Sequence, residues 1–407
     1  MANSFKTLKD GDIVRKSLPI LHNNMPFIRS ISRQYDDRFA RSGMKNGGTI
    51  LIREPNQYSV RSGWVMDVQD ITETVQTYSI STVKGIDIDF DTEDLTLSID
   101  DFSKRHLEPA MKRLGAEIEK DVLNTVYAYC NSLENTAFGT NPVYSDVLTA
   151  KAYLDQGYAP TTDRYLLTDT LANNSIITDS KSLYSPVSEL SQQYLDGVVG
   201  RVGGFNHLQS ELTPMHTNGT RTTAGTCNLG AVTNGTTTLS VDATASEIYE
   251  VGDVITIAGV YEVEPETKIP LNRLKQFTVA EKYTGTGSAA NMTITWPLYK
   301  TGAKQNAYCA DWTAATAATV VDLAGSSGTD SSSYRQNLAY HKDAFVFATA
   351  DLEQPKGVDM AARAVMDGIS MSLVRDFNIV NRNFPLRIDV LYATKCVMPY
   401  WACRVSS

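Results

Sequence analysis

Long apolar runs, paired cysteines and clustered histidines are all missing from this sequence, and each absence removes a class of protein. No stretch of about 18 apolar residues occurs, the length a helix needs to cross a bilayer. The opening MANSFKTLKDGDIVRKS has no apolar signal core. The expectation is a chain with no membrane contact and no export leader. The five cysteines, Cys130, Cys227, Cys309, Cys396 and Cys403, are odd in number and form no CxxC pair. A disulfide framework and a zinc site therefore both lack their spacing, and reduced thiols are expected. The five histidines, His22, His106, His207, His216 and His341, show no ligand spacing. His207 and His216 stand on loop-like sequence and read as surface residues. There is no GxSxG elbow, no HExxH, and no HxE with PCxxC. Gly197 to Gly204 is glycine-rich, but no Lys-Ser/Thr follows, so it lacks the parts of a phosphate cradle. Triad members can meet in space without leaving a mark in sequence. With no motif present, the expectation is a non-enzyme with no catalytic residue, metal or cofactor.

What is present is a 407-residue chain with 42% apolar residues and a net charge of -9. That length predicts several core-bearing units, and the acidic balance argues against nucleic-acid binding over the whole surface. Residues 1–45 run against the average. Lys6, Lys9, Arg15, Lys16, Arg29, Arg33, Arg38, Arg41 and Lys45 face only Asp10, Asp12, Asp36 and Asp37, a balance of +5. A basic arm suits a polyanion or an acidic partner. Equally, Ile20, Leu21, Phe27, Ile28 and Ile31 recur at helical spacing, as in a solvated amphipathic helix.

Strand periodicity follows. Thr49 to Glu54 stops at Pro55, and Val75 to Val83 resumes the alternation, predicting a long β-hairpin whose edges invite a neighbour. Ile86-Asp87-Ile88-Asp89-Phe90-Asp91 alternates strictly and is echoed at Leu95 to Asp100. A calcium loop there would need glycine at Thr92 and a bidentate acid at Ser98, so a half-buried strand with solvent-facing aspartates is expected. Leu107, Met111, Leu114, Ile118, Val122, Val126, Tyr129 and Leu133 then step by three or four, predicting a helix of about 25 residues, roughly 38 Å long. Arg113 and Glu117 form an i,i+4 pair on its polar face.

Beyond it, a helix near Val147–Gln156 and a strand at Tyr165–Thr168 are predicted. From about Thr220 to Arg335 threonine, glycine and alanine dominate, with strand patterns at Thr237–Val241, Val254–Ile257, Phe277–Glu281 and Met292–Trp296. Asn234-Gly235 and Gly285-Thr286-Gly287 supply turns, and Gly325 to Ser333 reads as a linker. This predicts a small inserted barrel. Its core candidates are Leu239, Val241, Val254, Ile255, Ile257, Phe277, Val279, Ile294 and Trp296. Val254 and Ile255, being adjacent, cannot both face inward. The tail reads as a helix-like Val358–Gly368 and strands at Ser370–Val374 and Leu386–Tyr392.

Val251-Gly252-Asp253-Val254-Ile255-Thr256-Ile257-Ala258-Gly259-Val260, followed by Tyr261 to Lys268 and Leu274 to Val279, resembles the inserted domain of the major coat proteins of short-tailed phages of the P-twenty-two type. Ser370 to Asp376, Leu386 to Tyr392 and Pro399 resemble the last strands of the same family, and the order of parts agrees over nearly the whole chain. The resemblance implies an α+β tailed-phage (HK-ninety-seven-like) capsid fold with a long spine helix, an extended β-hairpin loop and an inserted all-β barrel-like domain. It implies an arm at 1–46, an extended loop at 47–85, a peripheral domain at 86–135 with 385–407, an axial domain at 136–220 with 336–384, and an insertion at 221–335. The expected function is a major capsid protein that self-assembles, through pentamers and hexamers, into an icosahedral virion shell enclosing double-stranded DNA in the host bacterial cytoplasm. Expected partners are copies of itself, a separate scaffolding protein, a portal protein and, non-specifically on the inner face, the DNA. Expected assembly contacts are Arg53, Glu54, Tyr58, Arg61 and Trp64 in the loop; Arg29, Arg33 and Arg38 are expected contacts of the arm. The rival readings are another phage structural or decoration protein, or a shell for protein cargo.

Overall fold

A computed structural model of the chain describes residues 10–36, 49–53, 57–58, 60–61, 63–66, 68, 75–91, 103–134, 140–180, 200–221, 223–312, 318–322, 333–379 and 383–407. They fall into two compact units. The first comprises Met1–Glu54, Val75–Val122 and Phe345–Lys395; the second comprises Pro55–Thr74, Leu123–Ala344 and Cys396–Ser407.

The first unit is organised on a six-stranded sheet. Its order is Ser32–Asp36, Phe345–Ala350, Asn383–Cys396, Ile369–Arg375 and Met360–Met366, with Thr82–Asp91 pairing to Asn383–Cys396 along Thr82↔Tyr392 to Asp91↔Asn383. The alternation of Ile86 to Asp89 is realised here: Asp87 and Asp89 face solvent while Ile86 and Ile88 are half-buried. The echo at Leu95 to Asp100 lies outside the described residues. A helix at Asp10–Asn23 and a short one at Pro26–Ser30 bury Leu18, Leu21, Met25, Phe27, Ile28 and Ile31. The helical spacing in the arm thus reports packing within this unit, and Gly115 of the long helix stands 3.4–3.5 Å from Leu21 and Met25 where a Cβ would lie.

One expectation is reversed. Met360–Met366 is a strand, in register with Ile369–Arg375 from Met366↔Ile369 to Met360↔Arg375. Alanine-rich Met360-Ala361-Ala362-Arg363-Ala364 has helix propensity, but Asp367 (φ 51°) and Gly368 (φ 76°) form a two-residue left-handed turn. Such a turn matches the twist of paired strands, and pairing outweighs local preference.

The long helix runs Glu108–Val126, preceded by a π turn at Ser103–Leu107 and followed by a 3-10 turn at Tyr127–Tyr129. Met111, Leu114, Ile118 and Val122 form its buried stripe. Leu133, expected as its last member, lies in the strand Ser132–Glu134 instead.

In the second unit a seven-stranded sheet runs in the order Ser132–Glu134, Ala402–Ser406, Ser333–His341, Arg164–Thr168, Phe205–Gln209 and Arg201–Val202, with Met215–Thr217 pairing to Ser333–His341. Helices Tyr144–Gln156 and Thr170–Ser180 cover it, and Val147, Leu154, Leu166, Ile176, Phe205, Ala339 and Val405 make one core. Of the glycine-rich run, Gly203 (φ 62°) and Gly204 (φ 87°) form the turn between Arg201–Val202 and Phe205–Gln209, so these two glycines serve a hairpin.

The second unit also contains the expected barrel. Its strands follow the order Pro270–Thr278, Val254–Val263, Ala318–Asp322, Gly225–Cys227, Thr236–Asp242 and Ala289–Leu298. The ends of that path meet at a bridge between Val279 and Ile294, supported by the Ala280 amide donating to the Thr293 carbonyl at 2.9 Å. The sheet therefore closes and leaves few free edges. Leu239, Val241, Ile255, Ile257, Phe277, Val279 and Ile294 fill it. The chain enters and leaves through Met215–Thr217 and Ser333–His341, paired at Thr217↔Ser333.

The divisions inferred from sequence cut across the two units. Of 336–384, only the strand through His341 and the turn to Ala344 share a unit with 136–220; Phe345 onward belongs with Thr82–Asp91 and Asn383–Cys396.

Candidate assembly surfaces

Thr49–Arg53 pairs antiparallel with Val75–Ser79, from Thr49↔Ser79 to Arg53↔Val75. The Lys395 ammonium donates to the Thr77 carbonyl at 3.1 Å. Arg53 closes the hairpin ladder opposite Val75; Glu54 lies outside the described residues, as do the contacts of the Arg53 side chain. Among the residues that connect the two strands, Tyr58, Val60, Trp64, Val65, Met66 and Val68 are exposed, from 59% at Tyr58 to complete exposure at Trp64. Arg61 donates to the carbonyls of Gly63 and Val65, the latter at 3.1 Å, and so shapes the turn that presents Trp64. Six large apolar side chains open to water within eleven residues are unfavourable in a free surface. Trp and Tyr are also the residues that most often anchor protein interfaces.

The arm residues separate by environment. Arg29 is exposed at the end of the Pro26–Ser30 helix. Arg33 is engaged inside its own unit: its guanidinium lies 2.5 Å from Asp367 and 3.2 Å from His22, whose Nε2 is 2.9 Å from the same carboxylate. Against the burial that would raise it, His22 and Arg33 hold the Asp367 carboxyl below its ordinary value. Arg38 lies outside the described residues.

The base of the barrel is a polar node that sequence reasoning missed. His216, expected at the surface, is buried, because Met215–Thr217 is the strand by which the chain enters the barrel. Its Nε2 lies 2.8 Å from the buried carboxylate of Asp253, and its Nδ1 lies 3.3 Å from the Tyr127 hydroxyl. Asp253 also accepts from the amides of Glu250 (2.9 Å) and Gly219 (3.2 Å) and from Arg221 (3.2 Å). Arg404, fully buried, donates to the Gly252 carbonyl at 2.8 Å and the Thr278 hydroxyl at 3.2 Å. Every one of these ionic groups meets an opposite charge or a hydrogen-bond partner, the condition for burying charge. Trp296, expected in the barrel core, instead donates its indole N–H to the Tyr129 carbonyl at 2.9 Å on the barrel's outer side. Val254 likewise turns outward and packs with Leu133 and Tyr334, while Ile255 points into the core. Both adjacent residues are buried because both faces of this strand are covered. Gln276 completes the seam, accepting from the Leu133 amide at 2.6 Å and donating to its carbonyl at 3.2 Å.

Among the described residues no group of three His, Cys, Asp or Glu side chains is placed to hold a metal ion. No cysteine among them is bonded to another.

The chain is similar to a structure from Mycobacterium phage Che8 (10% identity, 91% of this chain and 88% of that one, TM-score 0.44). It is also similar to the mature capsid of bacteriophage PhiM1 (12%, 93% and 86%, TM-score 0.41) and to the head of Helicobacter pylori bacteriophage KHP40 (9%, 92% and 86%, TM-score 0.39). No curated protein matches the chain. The family model described as P22 coat protein, gene protein 5, matches residues 13–403. With nearly every element described above inside that match, the chain belongs to the P22 coat protein family and is a major capsid protein whose copies form the phage shell.

Proposed function

We propose that this coat protein closes an icosahedral shell of pentamers and hexamers around double-stranded DNA, and that residues 47–85 are the extended loop that reaches a neighbouring subunit. The observation that carries the reading is the row Tyr58, Val60, Trp64, Val65, Met66 and Val68, open to water in the single chain. Burying such side chains on a second copy recovers about 25 cal/mol per Å² of apolar surface, and closure multiplies each contact over many copies. Tyr58 and Trp64 are the anchors in this account, and Arg61 positions the turn. Arg29 is the arm residue best placed to meet an acidic partner or phosphate, since Arg33 is held by Asp367. The role is structural rather than catalytic, assembly takes place in the host cytoplasm, and a scaffolding protein and a portal complete the set of partners.

The test is the double change Trp64→Ser and Met66→Ser. The expected variant melts like the parent, because neither side chain is buried in one subunit, yet fails to sediment as shells under conditions that assemble the parent. Full-size particles at parental yield would contradict the role given to the loop.

A further inference from the structure

The long helix sorts its charges by exposure. Between Arg105 and Asp121 the exposed charged residues are Arg105, Lys112, Arg113 and Lys120, all cations. The acids of the same segment are withdrawn. Glu119 is buried, Glu108, Glu117 and Asp121 are half-buried, and Asp121 accepts from the Tyr392 hydroxyl at 2.6 Å. Glu117, its side chain 40% exposed, pairs with Arg113 at 3.6 Å. At about 100° per residue, the four cations fall within roughly 100° of arc, opposite the stripe of Met111, Leu114, Ile118 and Val122. An ordinary solvated helix face intersperses both signs and gains from i,i+4 pairs. Apart from the Arg113–Glu117 pair, this ridge presents cations, which on a chain of net charge -9 is a departure with a direction.

We infer that this ridge is a phosphate-binding surface for double-stranded DNA, contacted without regard to base sequence. The inference rests on the proposed enclosure of DNA and adds the surface that meets it. From Arg105 to Lys120 the ridge spans about 22 Å of straight rod, matching a stretch of duplex backbone that carries one charge per roughly 1.7 Å of axis. Long, flexible Arg and Lys side chains on a rigid helix suit regularly spaced phosphates. The ridge lacks the Asn and Gln side chains that read base edges, except Asn124 beyond its end. Weak contacts of this kind, repeated over a shell, hold DNA without fixing its register.

The test uses the full-length, unassembled chain and a 5′-labelled duplex of mixed sequence, with anisotropy read across sodium chloride concentrations. The triple change Lys112→Gln, Arg113→Gln and Lys120→Gln leaves the buried stripe untouched, and its thermal melt verifies that the fold is intact. Each lost phosphate contact lowers the log–log salt slope by about 0.9, so the expected loss is about 2–3 units, with weaker binding at low salt. Parental slope and affinity in a folded triple variant would overturn the ridge while leaving DNA enclosure standing. A parent that binds no duplex overturns the ridge as a DNA surface, whereas DNA enclosure is read separately, from nuclease-protected duplex in assembled particles. A parent that prefers poly-glutamate to duplex, with that preference lost in the triple variant, overturns the DNA assignment in favour of an acidic protein partner.

Discussion

At the scale of single residues, the Gly252-Asp253 pair shows how a short motif encodes a junction. Gly252 has φ 96°, and a Cβ there would stand 3.1 Å from the Tyr127 ring and 3.3 Å from His216. Gly252→Ala should destabilise the chain by roughly 1–3 kcal/mol through backbone strain alone, read as a shift in the urea midpoint at constant m. Asp253→Asn removes the charge facing His216 and Arg221 and should cost more than an exposed carboxylate change. His341 gives a pH signature. Burial lowers its pKa, outweighing the raising effect of Asp343 and Asp163. Unfolding then takes up protons, so its contribution is complete above the unfolded value of about 6.5 and is lost as pH falls toward the folded one. Replacing it with Phe, which retains a ring against Trp401, should shrink the stability lost between pH 7.5 and pH 5, measured against the parent. The Cys130 and Cys227 thiols should be inert to disulfide reagents in the folded chain, since burial pushes Cys130 up to about 12 and Cys227 up to about 11.

At the scale of elements, the barrel is the part best marked in the sequence. Its turn residues and strand patterns gave the strands, and seven of nine core candidates line the interior. Val254 and Trp296 were drawn into that list because hydrophobicity marks burial and not the direction of burial. Phe277→Ala should lower stability by roughly 3–5 kcal/mol, seen in equilibrium melts. Residues 218–332, expressed alone, should give one cooperative melt because the strand path closes on itself. That melt should lie below the parent's, since Val254, Trp296 and Gln276 lose their partners. A fragment without cooperative unfolding would contradict a self-sufficient barrel. The long helix was legible from its stripe, whereas its end was not: Leu133 keeps the spacing but joins a parallel strand with Ala402–Ser406, a pairing across most of the chain. The Met360–Met366 strand was misread for a different reason: its alanine-rich residues favour helix, and the two-residue turn at Asp367-Gly368 overrides them by pairing it with Ile369–Arg375. His216 and Asp253 were invisible as a pair because nothing local brings positions 37 apart together.

At the scale of the whole molecule, membership of the P22 coat protein family and the exposed loop residues point to one design. The chain folds two compact units for itself and leaves Tyr58, Trp64 and their apolar neighbours exposed, the side chains that the proposed assembly buries on copies. Resemblance supplied the class of assembly, and the strand alternation at Thr49 to Glu54 and Val75 to Val83 flagged this loop as a hairpin whose edges invite a neighbour. Sequence alone did not show that Arg33 is committed to Asp367, since that pairing depends on the turn that ends the misread Met360–Met366 strand. The most direct measurement is electron microscopy of the chain assembled together with the proposed scaffolding protein, with the Trp64→Ser, Met66→Ser variant alongside. The account predicts closed icosahedral particles of uniform size from the parent and folded, unassembled subunits from the variant. Open sheets, filaments or monomers from the parent would contradict it.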